Sequence, residues 1–316
     1  MNLSRTPLTI GLDVRGERGT SREGSVADLI RGVFPIVYTP FDDDGRIDEA
    51  DLRSLVDYLI TQGAHGLSAV GGASECHKLT IGERKWLAEK TIQAAAGKVP
   101  VLVGTSATNV SDSLDLTRHA SAIGAIGTFC TPPLHGGRTT ETLRAFYGAL
   151  ARATDLPILI QDALVVVPPP VIARLGEEFA NLRWVKEEAA DSGHRMSELQ
   201  RVCTAGLTIM SGGSYLLDDL ARGAVGAIPG SVGVGDLARA YDRFVAGDRV
   251  AARIAYNHFL PLSFFRKQFP LAASKEVLRR SGVIKHACLR DPKDQTLDEQ
   301  DQFELEAIME AMGPPF

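Results

Sequence analysis

The chain predicts an α/β fold, a (β/α)8 TIM barrel carrying additional helices at its C-terminal end. Three observations lead there. Short apolar runs alternate with amphipathic segments through roughly eight repeats, each run is followed by a helix-like segment, and no glycine-rich dinucleotide fingerprint follows the first run. Strands this apolar, separated by helices, pair in parallel with both faces covered. Eight such units favour closure, whereas an open nucleotide-binding sheet calls for phosphate-binding glycines after its first strand.

The elements follow in order. Phe34 to Tyr38 reads as a strand, and Asp48 to Thr61 as a helix with Leu52, Leu55, Val56 and Leu59 on one face. A strand at Leu67 to Val70 precedes a helix from Ile81 to Ala96, whose start has Thr80 and Glu83 at capping-box spacing. Strand–helix pairs continue at 101–104 and 110–123, 126–130 and 140–153, and 157–160 and 170–179. They end with 182–186 and 193–205, 207–211 and 215–222, and 225–228 and 237–246. Three further helical segments, 249–266, 275–281 and 298–312, are expected on the outside of the barrel or on a partner subunit. The organisation is then an N-terminal arm (1–31), a barrel (32–247) and a C-terminal helical extension (248–316), with no linker to make the extension a separate domain.

Composition narrows the function classes. With 316 residues, 44% hydrophobic and 23% charged, the chain is an ordinary globular protein with ample material for a core. A net charge of −5 gives no footprint for nucleic acid. No apolar run approaches the ~20 residues of a membrane span. The opening Met1 to Ser25 is polar and lacks the apolar core of a secretory signal, so a cytoplasmic location is expected. Cys76, Cys130, Cys203 and Cys288 are far apart and in no metal-ligand spacing, and read as reduced thiols. Neither a metal site nor an organic cofactor is expected.

In a barrel of this kind the chemistry sits at the C-terminal ends of the strands. Lys186 ends the sixth, after Leu182-Arg183-Trp184-Val185 and before Glu187-Glu188. Burial disfavours an ammonium, and bringing its pKa from ~10.4 towards ~7 takes roughly 4–5 kcal/mol of destabilisation of the cation. A lysine so placed suits imine formation with a ketone. The same residue also fits a strand end that snorkels to water. Other strand ends offer Gly71 to Glu75, Thr105-Ser106, Thr131 to His135, Gln161-Asp162, Ser211-Gly212 and Pro229 to Ser231.

Several of these stretches resemble one family. Pro35-Ile36-Val37-Tyr38-Thr39-Pro40-Phe41 with Asp44-Gly45-Arg46-Ile47-Asp48, then Gly97 to Thr105, Thr131-Pro132 and Val185-Lys186-Glu187, are similar to the dihydrodipicolinate synthase/N-acetylneuraminate lyase superfamily of class I aldolases. The resemblance runs in order from about Gly32 to Ser231 and implies that Lys186 is the Schiff-base nucleophile. It also implies a homotetramer built from dimers and a 2-oxo acid as the small-molecule partner.

The departures bear on the reaction. The family's carboxylate-binding loop with two hydroxyls is here Gly71-Gly72-Ala73-Ser74-Glu75, leaving the backbone of Gly72 and Ala73 and the hydroxyl of Ser74. The acid/base tyrosine of strand five is Gln161, followed by Asp162. The family's tyrosines after Thr-Pro are Pro133 and Leu134, and its second carboxylate clamp is Val166. Gln161 has no titratable proton, so dihydrodipicolinate synthesis itself is not expected. Ser74-Glu75, Pro132-Pro133-Leu134-His135-Gly136 and Gln161-Asp162-Ala163 are similar to the 2-keto-3-deoxy-L-arabinonate dehydratase branch, although that branch's proline after Gln-Asp-Ala is Leu164 here.

The expected activity is therefore dehydration of a 2-keto-3-deoxy sugar acid. The alternatives are retro-aldol release of pyruvate from a hydroxylated 2-oxo acid and a non-catalytic barrel that binds 2-oxo acids. Lys186 and His135 are the candidate catalytic residues, with Gly72, Ala73, Ser74, Gln161, Asp162, Ser211 and Gly212 as candidate substrate contacts. For the proton transfers, His135, Ser74, Asp162, a water and the substrate's own carboxylate stand as alternatives. Glu75 reads chiefly as a structural tie from its loop to neighbouring backbone.

Overall fold

A computed structural model describes residues 29–134, 137–163, 165–204, 206–291 and 296–313. Eight parallel strands, β1 (Gly32–Val33), β2 (Leu67–Ala69), β3 (Val101–Gly104), β4 (Gly127–Cys130), β5 (Ile158–Asp162), β6 (Trp184–Glu187), β7 (Thr208–Ser211) and β8 (Gly226–Ala227), pair in sequence order, and β8 returns to β1. The ring closes through a bridge between Ile36 and Ser68. The TIM barrel expected from the sequence is the fold observed.

The first strand is the largest departure in boundary. It was expected at Phe34 to Tyr38, but the ladder with β2 reduces to a bridge. Pro35 is the physical reason: it offers its carbonyl to Ser68 N but has no N–H to return to β2. The chain beyond still runs extended, with Ile36 N donating to Pro229 O and Val37 N to Ser68 O.

Eight helices alternate with the strands: α1 (Glu49–Thr61), α2 (Ile81–Ala95), α3 (Val110–Ala122), α4 (Thr140–Ala151), α5 (Pro169–Glu178), α6 (Ser192–Val202), α7 (Leu216–Ala221) and α8 (Val234–Val245). Asp48 caps α1 through the N–H groups of Ala50 and Asp51, and the Thr80–Glu83 capping box opens α2 as its spacing predicts. Three more helices, α9 (Arg249–Phe265), α10 (Ala272–Arg280) and α11 (Glu299–Met312), form the extension. Tyr256, Phe259, Leu262, Val277, Leu278 and Leu305 enter the same buried cluster as Leu52, Leu55 and Leu237. The extension thus shares the barrel's outer core. Of the expected arm, only Leu29, Ile30 and Arg31 are among the described residues.

Strand alternation sorts the interior from the exterior. Phe34, Ile36, Leu102, Phe129, Leu159, Met210 and Ile228, with Ile30 beneath, pack together inside the barrel. Their neighbours Cys130, Ile158, Ile160, Val185 and Ile209 face outward into the layer beneath the helices. This apolar filling closes the barrel below Lys186 and leaves the C-terminal mouth as the place for chemistry.

Candidate active site

Lys186 lies on β6 between outward-facing Val185 and Glu187, so its side chain enters the barrel. It is 2% exposed, and its Nζ stands 5.7 Å from the centre of the Phe129 ring. It does not snorkel outward. Two residues further, the same alternation returns Glu188 to the interior, where its Oε2 pairs with Lys186 Nζ at 2.7 Å. The other carboxylate oxygen accepts from Gln161 Nε2 at 2.6 Å, and Gln161 sits opposite Lys186 in the β5–β6 register. One carboxylate therefore bridges the amine and the amide inside the mouth.

Gly212 makes room for this arrangement. A Cβ there would stand 2.7 Å from Glu188 Cβ, so the glycine, a candidate substrate contact, leaves room for a neighbouring side chain. Just past β4, alternation from Phe129 turns Thr131 inward, and its buried hydroxyl has no partner among the described residues. Its N–H is fixed by Ser106 Oγ at 2.9 Å.

The outward face of the same strands carries a second polar cluster. Asp162 is fully buried, accepts from Val167 N at 2.8 Å and pairs with Arg195 Nη2. Glu187 faces Asp162 in register, accepts from Ala189 N at 3.0 Å and has Arg195 Nε 3.4 Å away. Burial and the adjacent Asp162 push the Glu187 carboxyl up to about 8. Asp162 was expected to touch substrate, but the pleat points it away from Lys186, and it anchors the loop after β5. Ser211 is corrected in the same way. Its Oγ bonds Asp219 and accepts from Gly213 N at 2.9 Å, tying β7 to α7 on the outer side.

The loop after β2 is held rigidly. Gly72–Ser74 forms one 3-10 turn, flanked by Val70 and Glu75 at φ of 61° and 55°. A β-branched residue in that region is strained by roughly 1–3 kcal/mol. Ser74 is fully buried, donating to Val37 O at 2.6 Å and accepting from Gly71 N at 3.2 Å. Its hydroxyl is thereby committed to clasping the loop, a correction to the expectation that it replaces a lost substrate-binding hydroxyl. Gly72 and Ala73 remain at the surface of the turn. Glu75 ties the loop down as expected: it accepts from Arg290 N at 3.1 Å and pairs with buried Lys275 at 2.6 Å and Lys78 at 3.0 Å. His135 lies outside the described residues.

Sequence reasoning missed Arg195, and it named Glu188 and Thr131 at their strand ends without giving either a role. Glu188 was within reach, because the alternation that turns Lys186 inward turns residue 188 inward too.

The comparisons with known proteins agree with this geometry. The model of the dihydrodipicolinate synthetase family matches residues 29–312. The chain belongs to that family, within the class I aldolase superfamily of lyases. A 4-hydroxy-tetrahydrodipicolinate synthase from Syntrophus aciditrophicus is 32% identical over 74% of this chain and 82% of its own length. An L-2-keto-3-deoxyarabonate dehydratase from Azospirillum brasilense is 30% identical over 90% of this chain and 95% of its own. Among solved structures, the dihydrodipicolinate synthase from Rhodopseudomonas palustris superposes with a TM-score of 0.82 at 27% identity, covering 91% of this chain and 99% of that one. The family is thus established while the two relatives differ in reaction. Among the described residues, no helix is long and apolar enough to cross a membrane.

Proposed function

We propose that this member of the family is a Schiff-base lyase that dehydrates a 2-keto-3-deoxy sugar acid and is not itself a dihydrodipicolinate synthase. The observation that carries the reading is the Lys186–Glu188–Gln161 bridge inside the barrel. Gln161 offers no titratable proton, and Glu188 supplies one carboxylate at the reacting nitrogen.

Glu188 Oε2 takes a proton from the Lys186 ammonium, and the free amine attacks C2 of the oxo acid. The proton then returns to the carbinolamine hydroxyl, which leaves as water and gives the iminium. In the next step the Glu188 carboxylate removes a C3 proton, forming the enamine. That electron pair expels the C4 hydroxyl, which takes the proton from Glu188 and departs as a second water, and one water then adds at C2 and displaces the amine, freeing Lys186 and the dehydrated oxo acid. The N–H groups of Gly72 and Ala73 hold the substrate carboxylate, Gln161 keeps Glu188 oriented, and the unpartnered Thr131 hydroxyl meets a hydroxyl of the sugar chain. His135, between β4 and α4 in sequence, is the alternative to Glu188 as proton donor to the leaving oxygen. His135→Ala is expected to lower turnover more than imine formation, and an unchanged rate removes it from the mechanism.

Retro-aldol cleavage uses the same imine, with the carboxylate taking the C4 hydroxyl proton as C3–C4 breaks. Two measurements separate the readings. Incubation with pyruvate and borohydride, followed by peptide mass analysis, is expected to place an adduct on Lys186; no adduct with any 2-oxo acid favours a binding barrel. Sugar acids are expected to yield a dehydrated oxo acid, and release of pyruvate with an aldehyde overturns the dehydratase reading.

A further inference from the structure

Among the described residues, one set of histidine, cysteine and carboxylate side chains brings three ligand atoms within 4.8 Å of one another: Asp43, His286 and Cys288. The spacing of the four cysteines gave no hint of it, because only one cysteine takes part. His286 and Cys288 stand two apart in a segment between α10 and α11, and Asp43 comes from the loop between β1 and α1. His286 Nδ1 is 2.9 Å from Asp43 Oδ1, and Cys288 Sγ is 3.7 Å from the same oxygen. With bonds of about 2.0–2.3 Å, tetrahedral ligands stand roughly 3.3–3.8 Å apart. Small side-chain shifts are enough to surround one ion. All three residues line a cleft of about 760 Å³, which gives water access to a fourth position.

We propose that Asp43, His286 and Cys288 form a binding site for a zinc-class divalent cation, with water as the fourth ligand. One sulfur, one imidazole nitrogen and one carboxylate oxygen suit a borderline-soft tetrahedral ion and disfavour magnesium or calcium, which take oxygen ligands. Binding releases the thiol proton to solvent and leaves the thiolate on the metal. The ion joins the segment around residue 288 to the β1–α1 loop, segments 245 positions apart in the chain. The Cys288 carbonyl also accepts from Lys275 Nζ at 2.7 Å, and Lys275 holds Glu75 at the base of the Gly72–Ser74 turn. The clip thus braces the outer support of that turn, away from the barrel interior that holds Lys186.

The test uses full-length protein stripped with a chelator and titrated with cobalt(II), whose thiolate charge-transfer absorption reports a Cys–metal bond. One equivalent per chain is expected, with that absorption. Cys288→Ser is expected to abolish the absorption and weaken binding by more than about 100-fold, the upper range for losing merely an outer-shell partner. His286→Gln is expected to weaken binding while a residual thiolate band persists at saturation, and Cys76→Ser to change neither. Zinc is expected to raise the unfolding temperature of the parent protein but not of Cys288→Ser. Absence of saturable binding, or a thiolate band that survives Cys288→Ser, overturns the site.

Discussion

The two faces of β5 and β6 hold the same kinds of side chain and do opposite things with them. Inside, Lys186, Glu188 and Gln161 meet at the C-terminal mouth, and Glu188 is still 27% exposed. Outside, Asp162, Glu187 and Arg195 meet in a layer sealed by α5 and α6, where both carboxyls are fully buried. Residues adjacent in sequence are separated by the pleat into an inward set, proposed above to carry the chemistry, and an outward set that ties the strands to their helices. A charge at a barrel strand end is therefore read by its parity as much as by its position.

Breaking the inner set is expected to have the largest effect. Lys186→Ala should abolish both borohydride trapping with pyruvate and turnover; a trapped adduct on another lysine would remove Lys186 from its role. Glu188→Gln keeps the shape and the bond to Gln161 but loses the carboxylate proposed to carry the proton, so kcat is expected to fall by about 10²–10⁴-fold. Trapping on Lys186 should persist more slowly, and full turnover in this variant would return the proton transfer to another group.

Breaking the outer set is expected to show in stability. Arg195→Met leaves two buried carboxyls without their cation, a loss of roughly 3–5 kcal/mol by analogy with other broken buried pairs. Urea unfolding measures it, and an unchanged midpoint would mean the cluster contributes nothing. A subtler test is pH. Glu187 titrates near 4.5 when unfolded and about 8 when folded, so the folded chain binds the extra proton between those values. Its contribution is present below about 4.5 and is lost as pH rises towards 8. Glu187→Gln, which keeps the neutral shape, is expected to flatten that part of the stability profile, and identical profiles would exclude Glu187 as its source.

The order of elements and the position of Lys186 were legible because both depend on local signals: apolar runs, capping residues and strand ends. What the sequence hid came from distance. Nothing local to Ser74 says that the Val37 carbonyl, 37 residues away, takes its hydroxyl. Nothing in Asp162 announces Arg195, 33 residues on, as its partner. Pro35 was visible, yet its consequence for closure depended on which neighbour its missing N–H would have faced. Glu188 is the exception, since counting by twos from Lys186 along the strand reaches it.

The plug of Phe34, Leu102, Phe129, Leu159 and Met210 beneath the lysine has a consequence for traffic. That filling leaves the C-terminal mouth as the way in and out, so any molecule that reaches or leaves Lys186 shares one doorway. A molecule waiting behind the product cannot reach the amine until the doorway clears, so the order of departures is imposed by architecture before any side chain acts on it.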